Sequence, residues 1–191
     1  MYRRNHHWFD SYRFSFSTNG INYASEKVQN FVKKNKTHLS IGITIDGTKR
    51  KHDLNRIWKG DGPEKGSYED VVKVIPLWLQ QFPEAGTKVT ISSADIPYIA
   101  ESVIHLYKLG IHQVNINCVF ENVWKEGDDK LFEEQLIKLA DEIIDGEYYK
   151  EYACSFFTEN MGKPLDCKLQ NQNWCGAGKM LAIDAQGNFY P

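Results

Sequence analysis

The sequence predicts an α/β fold, a curved and open sheet of parallel strands with helices packed on one side. Two observations carry this. Through the first 145 residues a short β-rich run is followed each time by a turn signal and then by a stretch of helical periodicity. Within those β-rich runs apolar and polar residues alternate, whereas a parallel strand covered on both faces reads as a continuous apolar run.

The strand candidates are Tyr12–Ser17, Leu39–Ile45, Lys88–Ser93 and Gln113–Phe120. In the first, Tyr12, Phe14 and Phe16 oppose Arg13, Ser15 and Ser17. In the second, Leu39, Ile41, Ile43 and Ile45 point one way while Ser40, Gly42, Thr44 and Asp46 point the other. Val89 and Ile91 oppose Thr90 and Ser92 in the third, and Val114, Ile116, Cys118 and Phe120 oppose Asn115 and Asn117 in the fourth. Each run precedes a helix candidate. Ser67 reads as the cap of the clearest one, with Asp70 three residues on, Val71, Val74, Ile75, Trp78, Leu79 and Phe82 at helical spacing, and Pro76 as a kink. The next spans about Pro97 to Leu109, with Ile99, Val103, Leu106 and Tyr107 on one face and Gly110 as its stop. Phe132, Leu136, Leu139, Ala140 and Ile143 mark the last. Strand-helix units in series imply parallel strands joined by right-handed crossovers.

A closed eight-stranded barrel fills its lumen with branched apolar side chains. A polar inner face therefore argues for an open sheet lining a wet or ligand-filled cavity, or for a two-layer sheet whose second face meets solvent or another domain. Composition narrows the partners. With 25 acidic and 23 basic residues the net charge is -2, which gives no basis for nucleic acid or membrane-surface attraction. No run approaches the roughly 20 apolar residues of a spanning helix, and the polar start Met1-Tyr2-Arg3-Arg4 lacks a signal peptide's apolar stretch. The expectation is a soluble cytoplasmic protein, in which Cys118, Cys154, Cys167 and Cys175 are thiols or metal ligands rather than disulfides.

Binding groups on parallel α/β sheets collect beyond the carboxyl ends of the strands. Those ends carry Thr18-Asn19-Gly20, Asp46-Gly47, Ser92-Ser93 with Asp95, and Asn117 with Glu121. Hydroxyls, amides and carboxylates of this kind suit a polar small molecule with ribose hydroxyls and an amino-acid moiety. Asn-Gly and Asp-Gly taken singly are also ordinary turn chemistry.

Phe16-Ser17-Thr18-Asn19-Gly20, Ile43-Thr44-Ile45-Asp46-Gly47, His52-Asp53, Arg56 and Gly66-Ser67-Tyr68, in this order and spacing, resemble the radical S-adenosylmethionine enzymes that carry a SPASM extension and modify ribosomally made peptides or proteins. The resemblance implies the four C-terminal units of a partial (β/α)6 barrel over residues 1–150 and the start of the iron–sulfur extension over 151–191. It implies S-adenosylmethionine and, in an intact parent, [4Fe–4S] clusters as cofactors, with a peptide or protein as substrate. It places Thr44 and Arg56 at the amino-acid end of the cofactor, where a guanidinium offers a carboxylate two parallel hydrogen bonds. Arg56 also reads as a solvated arginine on a charged loop with Lys49, Arg50 and Lys51. Asn19, Ser92 and Asn117 are further cofactor-binding candidates, and Asp46 and Glu121 are candidate general bases, although a carboxylate pairs with Lys or Arg more often.

The tail extends the resemblance. Cys175, eleven residues, Gly187 and four more residues look like the opening of the SPASM region, with a turn at Asp184–Gly187 between Met180–Ile183 and Asn188–Tyr190. Cys175 is the candidate cluster ligand, and Cys167 a second by proximity, though a buried or incidental thiol describes it and Cys154 more simply. No Cys-x2-Cys pair supports zinc.

The family's Cys-x3-Cys-x2-Cys loop and its Gly-Gly-Glu motif are both missing from the sequence. By the resemblance they belong upstream of the Tyr12 strand, so the chain is expected to be a truncated enzyme, inactive by itself, with an edge strand open to homodimerisation. Two alternatives stand beside this: a non-catalytic peptide-binding or scaffolding remnant, and a sugar or phosphate enzyme. The latter calls for a glycine-rich phosphate loop after a strand, and none is evident.

Overall fold

The computed structural model describes residues 13–60, 65–158, 182–184 and 186–190. The chain divides into two compact units, Met1–Thr158 and Glu159–Pro191. In the first, β1 (Phe14–Thr18) leads through α1 (Glu26–Asn35) to β2 (Leu39–Ile43), and α2 (Lys49–Asn55), α3 (Tyr68–Val72) and α4 (Ile75–Gln81) follow. Then come β3 (Thr87–Ile91), a 3₁₀ segment at Ser93–Tyr98, α5 (Ile99–Lys108), β4 (Gln113–Cys118), α6 (Asp128–Asp145) and β5 (Ala153–Cys154).

All strand pairs in this unit are parallel. β1 lies beside β2 with Phe14 opposite Leu39 and Thr18 opposite Ile43. β3 lies beside β4 with Thr87 opposite Val114 and Ile91 opposite Cys118, and β5 continues that sheet along β4. No backbone ladder joins β2 to β3 among the described residues. A side chain fills that seam. The Thr87 hydroxyl donates to the Ile43 carbonyl at 2.8 Å and accepts the Ile45 N–H at 3.0 Å.

Alternation maps onto burial as a one-sided sheet requires. Leu39, Ile41, Ile43, Val89, Ile91, Val114 and Ile116 are buried against the helices, with Trp78, Leu106, Tyr107 and Leu139 completing the core. Ser40, Lys88, Thr90, Asn115 and Asn117 lie exposed on the other face. That face is open to solvent along these residues, as expected of an open sheet with one polar face. β1 is less buried, since Phe16 is exposed and meets Phe31 of α1 edge-on at 6.2 Å.

Several boundaries differ from the sequence reading, each for a local reason. Ser67 precedes α3 but does not cap it, because its hydroxyl is engaged by Arg56 and His52. Pro76 does not kink one long helix. It stands in the first turn of α4, where its missing N–H costs nothing, and Lys73-Val74 form the break. β3 ends at Ile91 because Ser92 and Asp95 form a reciprocal capping box, with the Ser92 N–H and hydroxyl donating to Asp95 Oδ2 at 2.8 and 2.7 Å. Phe120 does not extend the apolar face of β4. The strand ends at Cys118 and Phe120 is fully exposed. Cys118 itself is half-buried and Cys154 is buried.

In the second unit, β6 (Ala182–Ile183) pairs antiparallel with β7 (Phe189–Tyr190). Asp184 organises the turn: its carbonyl accepts the Gly187 N–H at 3.1 Å, and its carboxylate accepts from the Gln186 and Asn188 N–H groups at 2.9 and 2.8 Å. Gly187, at φ +88°, supplies the left-handed position. Residues Cys167 and Cys175 lie outside the described residues.

Candidate functional site

The carboxyl ends of β2 and β3 meet at Asp46. Gly47 follows it at φ +128°, and a Cβ there would lie 2.2 Å from that of Ser102, so glycine is the residue that lets the chain turn against α5 and enter α2. The Thr48 hydroxyl then caps α2 by accepting the Lys51 N–H. This turn sets Asp46, Lys51, His52 and Arg56 on one side of α2, within reach of β3.

Asp46 is 4% exposed, and both its carboxylate oxygens are engaged. Oδ2 pairs with Arg56 Nε, and Oδ1 accepts the Thr90 N–H at 3.0 Å. The Arg56 side chain stays 31% exposed. It meets Asp46 through its Nε and Nη2 edge, which leaves the Nη1 edge of the fork for a second acceptor.

His52 is fully buried and its protonation follows from its partners. The Asp46 N–H donates to Nδ1 at 3.2 Å, so the proton sits on Nε2, which donates to Ser67 Oγ at 3.1 Å. The Ser67 hydroxyl in turn donates to the Arg56 carbonyl at 3.0 Å. Burial is the main cause that pushes the His52 pKa down to about 4, with Asp46 opposing, and the neutral ring is the form this chain of bonds needs. The imidazole therefore staples the Asp46 turn to the segment that carries Arg56.

Lys51 is a buried cation. Its side chain is 1% exposed, so the expectation of a solvated loop through Lys49, Arg50 and Lys51 fails at this position. Its ammonium donates to the Thr90 carbonyl at 2.9 Å and pairs with Asp95 Oδ1 at 3.5 Å. Burial pushes its pKa below the ordinary lysine value, with Asp46 and Asp95 opposing. Asp95 also accepts from the Asn55 amide at 3.4 Å, which ties the end of α2 to the Ser92 cap.

The other predicted residues fall around this centre. Thr44 is half-buried one position past β2, and its N–H donates to the Thr18 carbonyl at 2.8 Å. Asn19 is exposed and folds back on its own turn, accepting the Ile21 N–H at 3.3 Å. Ser92 is occupied in its capping box. Asn117 stands opposite Thr90 in the parallel register, so Asp46, Thr90 and Asn117 form one strip across the open face. Glu121 is exposed beyond the end of β4. Among the described residues no group of three or more His, Cys, Asp and Glu side chains could hold a metal ion.

Sequence reasoning placed Asp95 at a strand end and Thr90 on the polar face, but missed Lys51, its pairing with both of them, and the staple made by His52 and Ser67. Only the helical spacing of Lys51, His52 and Arg56 after a Gly-Thr cap could have signalled them, because their partners lie 15 to 44 residues away.

The chain superposes on native anSMEcpe with bound AdoMet at a TM-score of 0.56 and 16% identity, over 76% of this chain and 40% of that one. Native anSMEcpe with bound AdoMet and Cp18Cys peptide gives 0.56 and 17%, over 81% and 45%. The complex with Kp18Cys peptide gives 0.55 and 16%, over 76% and 41%. The chain shares its α/β fold, with parallel strands, with part of each of these structures. It spans about two fifths of the length of these structures. No family model and no curated protein sequence matches it. No helix among the described residues is long and apolar enough to cross a membrane.

Proposed function

We propose that this chain contributes the S-adenosylmethionine-facing strands of a radical SAM maturase that modifies a peptide or protein substrate. The observation that carries the reading is Arg56: a half-exposed guanidinium fixed on one edge by buried Asp46, at the carboxyl ends of parallel strands, in a fold shared with AdoMet-bound structures. A fork held on one edge presents its remaining donors in a set direction, which suits the carboxylate of the cofactor's methionyl moiety. Thr44, Thr90 and Asn117 line the adjoining polar face and suit its ribose and amino groups, with Asn19 and Ser92 at the flanking strand ends. Asp46 acts as the holder of Arg56 rather than as a base, since both its oxygens are engaged. Glu121 remains the carboxylate available at the rim.

Beside a reduced iron–sulfur cluster, bound S-adenosylmethionine supplies hydrogen-abstraction chemistry. The sequence contains no Cys-x3-Cys-x2-Cys loop, and on this reading the polypeptide alone binds and orients the cofactor without initiating that chemistry. On this reading residues 1–150 belong to the partial barrel and 151–191 open a SPASM-type extension, for which Cys175, with Cys167 as a second candidate, is the cluster ligand. The setting is cytoplasmic, and the edge strand β1 is a candidate homodimer contact. A non-catalytic peptide-binding module would use the same open polar face, since none of these contacts requires a cluster.

Calorimetric titration of S-adenosylmethionine into the full chain tests the reading. Binding by the wild type, weakened about tenfold or more in Arg56→Met and less in Arg56→Lys, is expected for loss of a charge-assisted contact. No heat from the wild type refutes it. Release of 5′-deoxyadenosine after anaerobic reconstitution of this chain with iron and sulfide contradicts the claim that it cannot initiate the chemistry alone.

A further inference from the structure

The seam between β2 and β3 is joined by side chains in place of a ladder, and Lys51 is the member that sequence patterns do not explain. In a parallel ladder alternate residues direct both backbone groups to the same neighbour. Thr44 donates to β1, so Ile41, Ile43 and Ile45 direct theirs toward β3. They are met by Trp78 Nε1, which donates to the Ile41 carbonyl at 2.8 Å, and by the Thr87 hydroxyl at Ile43 and Ile45. On β3, Ile91 accepts the Val119 N–H from the chain beyond β4, so Thr90 faces the seam. Both backbone groups of Thr90 are taken by charges from the β2–α2 side: its N–H by Asp46 at 3.0 Å and its carbonyl by Lys51 at 2.9 Å.

We infer that Lys51 is a positioning residue, one half of a two-pronged clamp on Thr90 that sets the distance between the Asp46–Arg56 pair, which brackets α2 beyond the end of β2, and the Thr90–Asn117 strip on β3 and β4. The clamp's other half is Asp46. An ammonium this buried, 1% exposed, needs an acceptor, which the Thr90 carbonyl supplies, and Asp95 balances its charge. Its consequence for the cofactor rests on the function proposed above: both flanks of the cleft must be held at one width if Arg56 and Asn117 are to bind opposite ends of a single ligand.

The test is hydrogen exchange of the Thr90 amide by NMR in the full chain, together with S-adenosylmethionine affinity, in Lys51→Met. The buried-core variant Val103→Ala in α5 reports what global destabilisation alone does. Lys51→Met is expected to speed Thr90 exchange about tenfold beyond the change seen in Val103→Ala, and to weaken the cofactor about tenfold, the scale of one charge-assisted hydrogen bond. Lys51→Arg, which keeps the cation, restores most of both. Thr90 exchange that merely follows global stability overturns the clamp. Faster Thr90 exchange with unchanged affinity overturns the positioning role. If Lys51→Met does not fold, Lys51→Gln is read by the same criteria. If the wild type binds no S-adenosylmethionine, the functional reading falls while the exchange measurement still decides the clamp.

Discussion

Replacing Thr87 by valine isolates the side-chain seam from every other feature of the fold. Valine keeps the shape of threonine and removes one hydroxyl. That hydroxyl serves two backbone groups of the neighbouring strand, the Ile43 carbonyl at 2.8 Å and the Ile45 N–H at 3.0 Å, and Thr87, Ile43 and Ile45 are all 0% exposed. Water cannot replace it without opening the core. A buried polar group left unpaired costs about 1–3 kcal/mol, so two of them cost about 2–6 kcal/mol. That is a large part of the roughly 5–15 kcal/mol by which a domain is stable. Thr87→Ser keeps the hydroxyl and gives up one buried methyl, which costs about 1 kcal/mol. In urea unfolding followed by circular dichroism, with a slope of about 2 kcal/mol/M, the valine variant should lose about 1–3 M from its midpoint and the serine variant about 0.5 M. A valine variant within about 1 kcal/mol of wild type, or a serine variant that is the worse of the two, would show that the hydroxyl does not join the strands.

Two further predictions concern the turn and the staple. Gly47→Ala places a Cβ 2.2 Å from that of Ser102 at φ +128°, so it should cost about 2 kcal/mol or more in thermal unfolding, and adding Ser102→Gly should recover the steric share only. His52 has a pKa near 4 in the fold against 6.5 for the free side chain, so the unfolded chain binds more protons between those values. Stability is therefore full above pH 6.5 and declines as pH falls toward 4, by on the order of 3 kcal/mol in total from this group. His52→Gln should flatten that part of the curve, and an equally steep acid decline in the variant would remove His52 as its source.

The parts of this fold legible in the sequence are those that repeat at short range. Leu39, Ile41 and Ile43, or Val89 and Ile91, alternate because helices cover one side of the sheet, so the buried face could be read directly. β5 was not readable, since Ala153–Cys154 is too short to show a period and owes its place to pairing with β4. The end of β3 depends on whether Asp95 turns back to Ser92, and Phe120 passes for a strand residue until the chain leaves the sheet at Cys118. The site is less legible for the same reason. Asp46 stands out as a polar residue at a strand end and Arg56 through the resemblance, but their pairing occupies the carboxylate that sequence reasoning offered as a base. Lys51 looks like its neighbours Lys49 and Arg50, and only its contacts with Thr90 and Asp95 separate a buried ammonium from two exposed cations.

The most direct test of the central claim, a cofactor site between Arg56 and the open polar strip, is an NMR titration of the isotopically labelled chain with S-adenosylmethionine. Shift changes concentrated at Thr44, Arg56, Thr90 and Asn117, absent with methylthioadenosine at Arg56 because that analogue lacks the amino-acid carboxylate, are the predicted result. No shifts, or shifts centred on the helical side of the sheet, contradict it.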